Sequence, residues 1–307
     1  MRWGRYLILR VFGAMLVIFG VTIAVFVILR ISGDPAALFM SQMATEEEYL
    51  QIREQMGLDE PIPVQYARYL GQLAQGNFGD SFQRKAPALD IVLDRFPQTV
   101  RLAAVAIVLL VALAVPLGAL AAIYRGTVID TAISSITLVA QALPNFWIGI
   151  VLVMVFAVRL GWLPTSGSNG WKAMVLPAVT LALQPWSRMT RLVRSELLEV
   201  LSQDYIRTAR AKGLSESMVL FRHSMRNAAV PIVTVIGLDL GYLLGGAIIV
   251  ETIFAWPGLG SLMVQAMNNQ DFPVVQATVI VIACTVVFLN LVTDLMYVWL
   301  DPRIRLQ

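Results

Sequence analysis

The chain has 307 residues, 58% of them hydrophobic and only 14% charged, with a mean hydropathy of +0.72. A soluble domain typically runs to about 45–50% apolar and about 25% charged residues, so this composition points to a protein with several membrane-spanning helices. The formal net charge of +3 is too small to indicate a nucleic-acid partner, and a single cysteine (Cys284) beside a single histidine (His223) argues against disulfides and protein-only metal sites.

The first apolar run covers about Leu7–Leu29, behind Arg2, Arg5 and Arg10. At roughly 20 residues it can cross a hydrocarbon core of about 30 Å. No small-residue cleavage pattern follows it, so it reads as an uncleaved span with a cytoplasmic N-terminus rather than a signal peptide. Residues 31–98 read as a soluble extracytoplasmic insert with ten acidic and five basic residues. Within the insert, Glu46-Glu47-Glu48 opens an amphipathic helix that ends at Gly57, and a second helical pattern covers Val64–Leu73. Gly76-Asn77-Phe78-Gly79-Asp80 reads as a turn, and Pro87–Arg95 as a short helix leading to the membrane.

Five more spans are expected at about Thr99–Tyr124, Ile133–Val158, Lys172–Trp186, Ala228–Val250 and Val274–Leu300. The span Lys172–Trp186 is the weak one, because it contains Pro177 and Pro185 and is barely long enough. The residues after it can continue its helix beyond the bilayer. The fold class is therefore an all-α polytopic membrane protein with six transmembrane helices, residues 99–307 forming a five-helix core around a cytoplasmic loop, 188–227.

Orientation follows from the basic residues. The stretch Arg188–Arg226 holds eight Lys/Arg and four Asp/Glu, whereas Glu251–Pro273 holds no Lys or Arg. With six spans, the 188–227 loop shares a side with the 125–132 turn and both termini, and the basic excess makes that side cytoplasmic.

Most enzymatic chemistry is absent from the inventory. There is no Gly-x-x-x-x-Gly-Lys-Ser/Thr phosphate loop and no His-Glu-x-x-His pair, and His223 has no convincing serine partner. The polar residues inside the spans remain. Asp239 sits mid-span in Gly237-Leu238-Asp239-Leu240-Gly241, where a carboxylate costs about 2.5–3.5 kcal/mol and must face protein or water. It reads equally well as a pathway or gating group and as a hydrogen-bonding group between close-packed helices. Gln141, Asn145 and Gln184 are weaker candidates that also suit helix–helix contact, and Glu251 at the end of the fifth span joins the set. Pro144 and Pro177 can kink their helices, while Arg101 and Asp294 lie near helix ends, where snorkelling explains them.

The strongest candidate is the basic segment Asp204–Pro231, which contains Asp204-Tyr205-Ile206-Arg207-Thr208-Ala209-Arg210-Ala211-Lys212-Gly213 and later His223, Arg226-Asn227 and Pro231. Lying between two apolar spans, it projects into water and can meet a soluble partner. Ala209, Ala211 and Gly213 offer little bulk to such a partner, and Arg207, Arg210 and Lys212 can pair with an acidic groove. A basic face held against anionic lipid explains the charge equally well.

At these residues the sequence resembles the inner-membrane permease subunits of bacterial ABC importers, in their dipeptide/oligopeptide branch. Arg207-Thr208-Ala209-x-x-x-Gly213 holds the place of a Glu-Ala-Ala-x-x-x-Gly loop, and the run from Asp204 to Gly213 with Arg226-Asn227 and Pro231 matches the branch's own form. Gly33-Asp34-Pro35, Gly57-Leu58-Asp59, Gly76-Asn77-Phe78-Gly79 with Ser81, Glu251 with Phe254, Pro257-Gly258-Leu259-Gly260 and Asp301-Pro302-Arg303-Ile304-Arg305 also look like landmarks of that branch. The resemblance implies the type I importer permease fold, a bacterial inner-membrane location and no catalysis by this chain. It further implies a second homologous permease, two ATPase subunits that carry the ATP and Mg, and an extracytoplasmic solute-binding protein. The segment Tyr205–Phe221 would be the coupling helix seated in an ATPase groove. Di- or oligopeptides are the expected solutes, with nickel, glutathione, opines or oligosaccharides as alternatives in the same branch. An ion-coupled transporter or channel built on Asp239 is the rival from another class.

Overall fold

A computed structural model of the chain describes residues 2–32, 47, 50, 53–54 and 57–300. Among these residues the regular structure is helical, apart from one isolated antiparallel bridge between Asp80 and Pro87. The elements are α1 (Arg2–Ser32), α2 (Ile62–Ala74), α3 (Ala88–Ile123), α4 (Val128–Ala142) and α5 (Asn145–Leu152), the last running on as a π-helical stretch, Val153–Arg159. They continue with α6 (Gly170–Leu201), α7 (Asp204–Ala211) and α8 (Glu216–Met218), which passes through a second π-helical stretch, Val219–Ser224, into α9 (Met225–Ile253). The chain then forms α10 (Leu259–Asn268) and α11 (Phe272–Leu300).

Among the described residues four helices are long and apolar enough to cross a membrane: α1, α3, α11 and the run Glu216–Ile253 that ends in α9. The pair made by α4 and α5 with its π-helical extension qualifies as a fifth, broken span, bent by 104°. That bend corrects the expectation of one continuous span over Ile133–Val158. Pro144 forces its preceding residue out of the helical region, and Leu143 accordingly takes an extended conformation with ψ 135°. By contrast, Pro177 and Pro185 do not break α6, which is continuous over 32 residues. Residues 188–201 continue that helix, as expected of the residues after the Lys172–Trp186 run. Polar and charged residues from Gln184 onward keep α6 outside the set of apolar spans.

The chain divides into two compact units, one of residues 1–98 and 257–287 and one of residues 99–256 and 288–307. In the first unit, Ala88, Ile91 and Val92 of α3 pack with Leu259, Leu262 and Ala266 of α10 and with Val274, Val275 and Ala277 of α11. The buried Asp271 carboxylate accepts from Ser81 Oγ at 2.5 Å and from the Phe82 amide at 3.1 Å. This clasp pins the turn that follows α2. Helix α2 begins at prolines in positions that lack an intrahelical donor in any case, and its Tyr66 stacks edge-on against Phe26 of α1 at 5.3 Å. The helix expected at Pro87–Arg95 is not separate but forms the first turns of the 36-residue α3. The helix expected over 46–57 is helical at residues 47, 50, 53 and 54, and its remainder lies outside the described residues, as do Gly33-Asp34-Pro35 and Asp301–Arg305.

In the second unit α6 is central, packing against α4, α5 and α9. Its backbone also approaches α3 closely: a Cβ placed on Gly118 would lie 2.6 Å from the Thr190 carbonyl oxygen and 2.7 Å from Val193 Cβ. Only glycine permits that approach. The buried face of α6 is built from Leu176, Leu181, Met189, Val193 and Leu197.

Candidate functional site

Along one side of α6 the residues Gln184, Arg188, Arg191 and Arg194 follow one another at helical spacing. Each finds a polar partner on another helix. Gln184 Nε2 donates to the Leu143 carbonyl at 3.2 Å, which satisfies an oxygen at the bend between α4 and α5, and its Oε1 accepts from Tyr242 Oη at 2.7 Å. Arg188 Nη2 donates to Asp239 Oδ1, and its guanidinium lies over the Tyr242 ring, 5.6 Å from the centroid. Arg191 Nη2 donates to Gln141 Oε1. Arg194 grips Asp130 with two bonds, Nε to Oδ1 at 2.6 Å and Nη2 to Oδ2 at 2.8 Å.

The exposure of this ladder is uneven. Asp239 lies at the middle of α9 with its side chain 1% exposed, whereas the side chain of Arg188 is 49% exposed. Tyr242, one turn further along α9, is also exposed at 40%. A charge pair at this depth thus presents its cationic half on the surface of the unit and hides its anionic half. Asp239 Oδ2 is buried and has no hydrogen-bond partner among the described residues.

The Asp204–Pro231 segment folds as one short helix, α7, followed after a turn by the first turns of the run Glu216–Ile253. Helix α7 ends in a Schellman turn: Gly213 N donates to the Arg210 carbonyl at 2.9 Å and Leu214 N to the Ala209 carbonyl at 3.4 Å. Gly213 has φ +77°, a conformation that glycine adopts at no steric cost. Leu214 packs back onto a small apolar cluster of Ile206, Ala209 and Val219. The single coupling helix expected over Tyr205–Phe221 is therefore interrupted at Gly213. Ala209, expected to admit a partner's surface, is buried inside the segment's own cluster, because Ile206 and Ala209 share the inward face of α7. Asp204, Tyr205, Arg207, Thr208, Ala211, Lys212 and Gly213 are exposed. Asn227 Nδ2 donates to Tyr205 Oη at 2.7 Å and to the His223 carbonyl at 3.2 Å, so the two halves of the motif meet. Arg226 is exposed, and Pro231 lies half-buried within α9. Arg210 forms a bidentate pair with Glu216, at 2.8 and 3.1 Å, that bridges the Gly213 turn and raises the guanidinium's proton affinity. Around these charges Tyr205, Met218 and Phe221 stand exposed, Phe221 at 68%.

Two family models cover nearly the whole chain: the binding-protein-dependent transport system inner membrane component matches residues 114–306, and the N-terminal part of such components matches residues 3–103. The chain belongs to this family. It is a multi-pass inner-membrane permease subunit of an ABC importer, and ATP hydrolysis lies in separate subunits. The permease is 40% identical to the oligopeptide transport system permease protein AppB of Bacillus subtilis (strain 168), an alignment covering 98% of this chain and 99% of the relative. It is 38% identical to the glutathione transport system permease protein GsiC of Escherichia coli (strain K12), again over 98% and 99%. Among solved structures, an inward-facing form of the MetNI methionine ABC transporter superposes with a TM-score of 0.59 at 19% identity, covering 69% of this chain and 96% of the other. That likeness shows a shared fold. Membership in the family sets aside the ion-coupled rival.

Of the permease's sequence-derived pathway candidates, the ladder brings together Asp239, Gln141 and Gln184. Asn145 opens α5, and its buried Oδ1 has no partner among the described residues. Glu251 is fully buried near the end of α9, where Thr99 Oγ1 donates to it at 2.6 Å. Sequence reasoning missed Arg188, Arg191, Arg194, Asp130 and Tyr242. The signal available was the three-residue spacing of the arginines behind Pro185, a stripe that belongs to a helix. Among the described residues no cluster of His, Cys, Asp and Glu could hold a metal ion.

Proposed function

We propose that this permease imports di- or oligopeptides, pairing with a second homologous permease above two ATPase subunits that bind ATP and Mg, and receiving solute from an extracytoplasmic binding protein. Six spans form the membrane part: the four apolar helices, the broken pair α4–α5, and α6. The N- and C-termini lie in the cytoplasm and the 31–98 insert outside. One observation carries the reading of the pathway. A half-exposed arginine beside an exposed tyrosine, opposite the middle of a membrane helix, cannot face hydrocarbon, where a central Arg costs about 2.5–3.5 kcal/mol even on the mildest scales. The face bearing Arg188, Tyr242, Gln184 and Gln141 therefore lines water or meets the second permease.

The solute class follows the oligopeptide relative; the comparable identity to a glutathione permease favours a second reading, in which the tripeptide is glutathione. At the cytoplasmic end, Tyr205, Arg207, Lys212, Met218 and Phe221 form an exposed basic and aromatic surface suited to an acidic groove on the ATPase. Helix α6 runs unbroken from the ladder at Gln184 to Leu201, and α7 starts three residues later. Displacement of the coupling segment is thereby delivered to the pathway face through a rigid rod, provided that the two nucleotide states hold the segment differently.

The test is reconstitution of this chain, its co-purified permease and ATPase partners and the cognate binding protein into liposomes, followed by uptake of labelled tripeptides. ATP-dependent uptake requiring all components is expected, with glutathione competing if the second reading holds. Uptake by this chain alone, without ATP, would sink the proposal.

A further inference from the structure

We infer that Arg188 receives the carboxylate end of the solute and that Asp239 is the resting counter-ion which the solute displaces. The inference rests on the peptide-importer reading and adds the chemical group that is recognised and the residue that recognises it.

Four features of the pair lead there. Arg188 is half exposed, while Asp239 is covered, so an incoming solute meets the cation first. Among the described residues only one guanidinium nitrogen of Arg188 is bonded, to Asp239, and the rest of its five-donor fork has no partner there. That fork lies over the Tyr242 ring, 5.6 Å from its centroid, and Gln184 holds the ring in turn through the tyrosine hydroxyl. A planar, pre-oriented guanidinium with open donors matches a carboxylate in bidentate fashion, where a lysine would offer only a point charge. The pairing with Asp239 is itself incomplete, since Oδ2 has no partner among the described residues. A one-bond contact can yield to a two-bond contact when a free carboxylate arrives. Between cycles Asp239 keeps the arginine neutralised. Asp239 is thus a positioning residue and Arg188 a solute contact.

The test uses the complete transporter in proteoliposomes, with the binding protein presented fully loaded with either a tripeptide bearing a free C-terminus or the same tripeptide as its C-terminal amide. Loading removes the binding protein's own preference, and the quantity read is uptake per loaded binding protein in a single turnover. In the wild type the amide is expected to pass about tenfold more slowly, the size of a lost charge-assisted hydrogen bond. Arg188→Gln should equalise the two rates, and Arg188→Lys should fall between. Arg188→Gln/Asp239→Asn leaves no unpaired charge to impair folding and should behave like the single glutamine variant. Equal rates in the wild type, or an unchanged ratio in both glutamine variants, overturns the assignment. Failure of the wild type to take up either peptide instead overturns the peptide reading itself, and this assignment with it.

Discussion

Two arginines on one helix, Arg188 and Arg194, each meet an aspartate from another helix, and the two pairs are built differently. Asp130 is closed on every side: Arg194 reaches both its oxygens, the Gly126 amide donates at 2.9 Å and Ser134 Oγ at 3.4 Å. Asp239 has a single bond from Arg188 and a second oxygen without a partner among the described residues. The side chain of Arg194 is 30% exposed and that of Arg188 is 49% exposed. A saturated pair ties α6 to α4 and fixes geometry. An unsaturated pair ties α6 to α9 and retains capacity for a third party. The same two residue types therefore serve as a rivet in one place and as a receptor in the other, and what separates them is the number of donors that converge on the carboxylate.

The largest effect that would break this comparison lies at the rivet. Asp130→Ala leaves Arg194 without its counter-ion and should cost about 2–4 kcal/mol, toward the lower end of a broken buried pair because Arg194 can reach water. Thermal unfolding of the detergent-solubilised transporter should show the loss, while the ratio of free to amidated peptide uptake stays at its wild-type value. A changed ratio would mean that both pairs contact solute.

A smaller effect is expected at the turn between α7 and α8. Gly213→Ala forces a side chain into φ +77° at a cost of about 1 kcal/mol, and Gly213→Glu adds a negative charge to the basic surface. Both variants should insert normally, because nothing lies within 4 Å of a Cβ built there. Uptake and solute-stimulated ATP hydrolysis should weaken with alanine and disappear with glutamate. Normal stimulated hydrolysis in Gly213→Glu would detach this segment from energy coupling.

Composition and hydropathy were enough to read the helical class, four of the six expected apolar spans and the exposed basic segment, since all three are properties of consecutive residues. The ladder was not legible in the same way. Counting Lys and Arg along the chain assigned Arg188 to water at the end of a short span, whereas its partner Asp239 stands 51 residues away. No local period carries that pairing. The bend was half legible: Pro144 announced a kink, but only the extended conformation of Leu143 turns it through 104°. Ala209 shows the opposite error. Its small size suggested a docking surface, although its spacing from Ile206 already placed both on one face of α7, and that face is turned inward.

The pairing of Arg188 with Asp239 also bears on how the chain enters the bilayer. Helix α6 emerges from the ribosome well before α9, so its arginine must wait for a carboxylate that has not yet been made. Until then α6 is too polar to partition into lipid unaided. On the proposed six-span arrangement, α6 is expected to insert only after α9 is made, and a chain truncated before Asp239 should leave α6 outside the membrane.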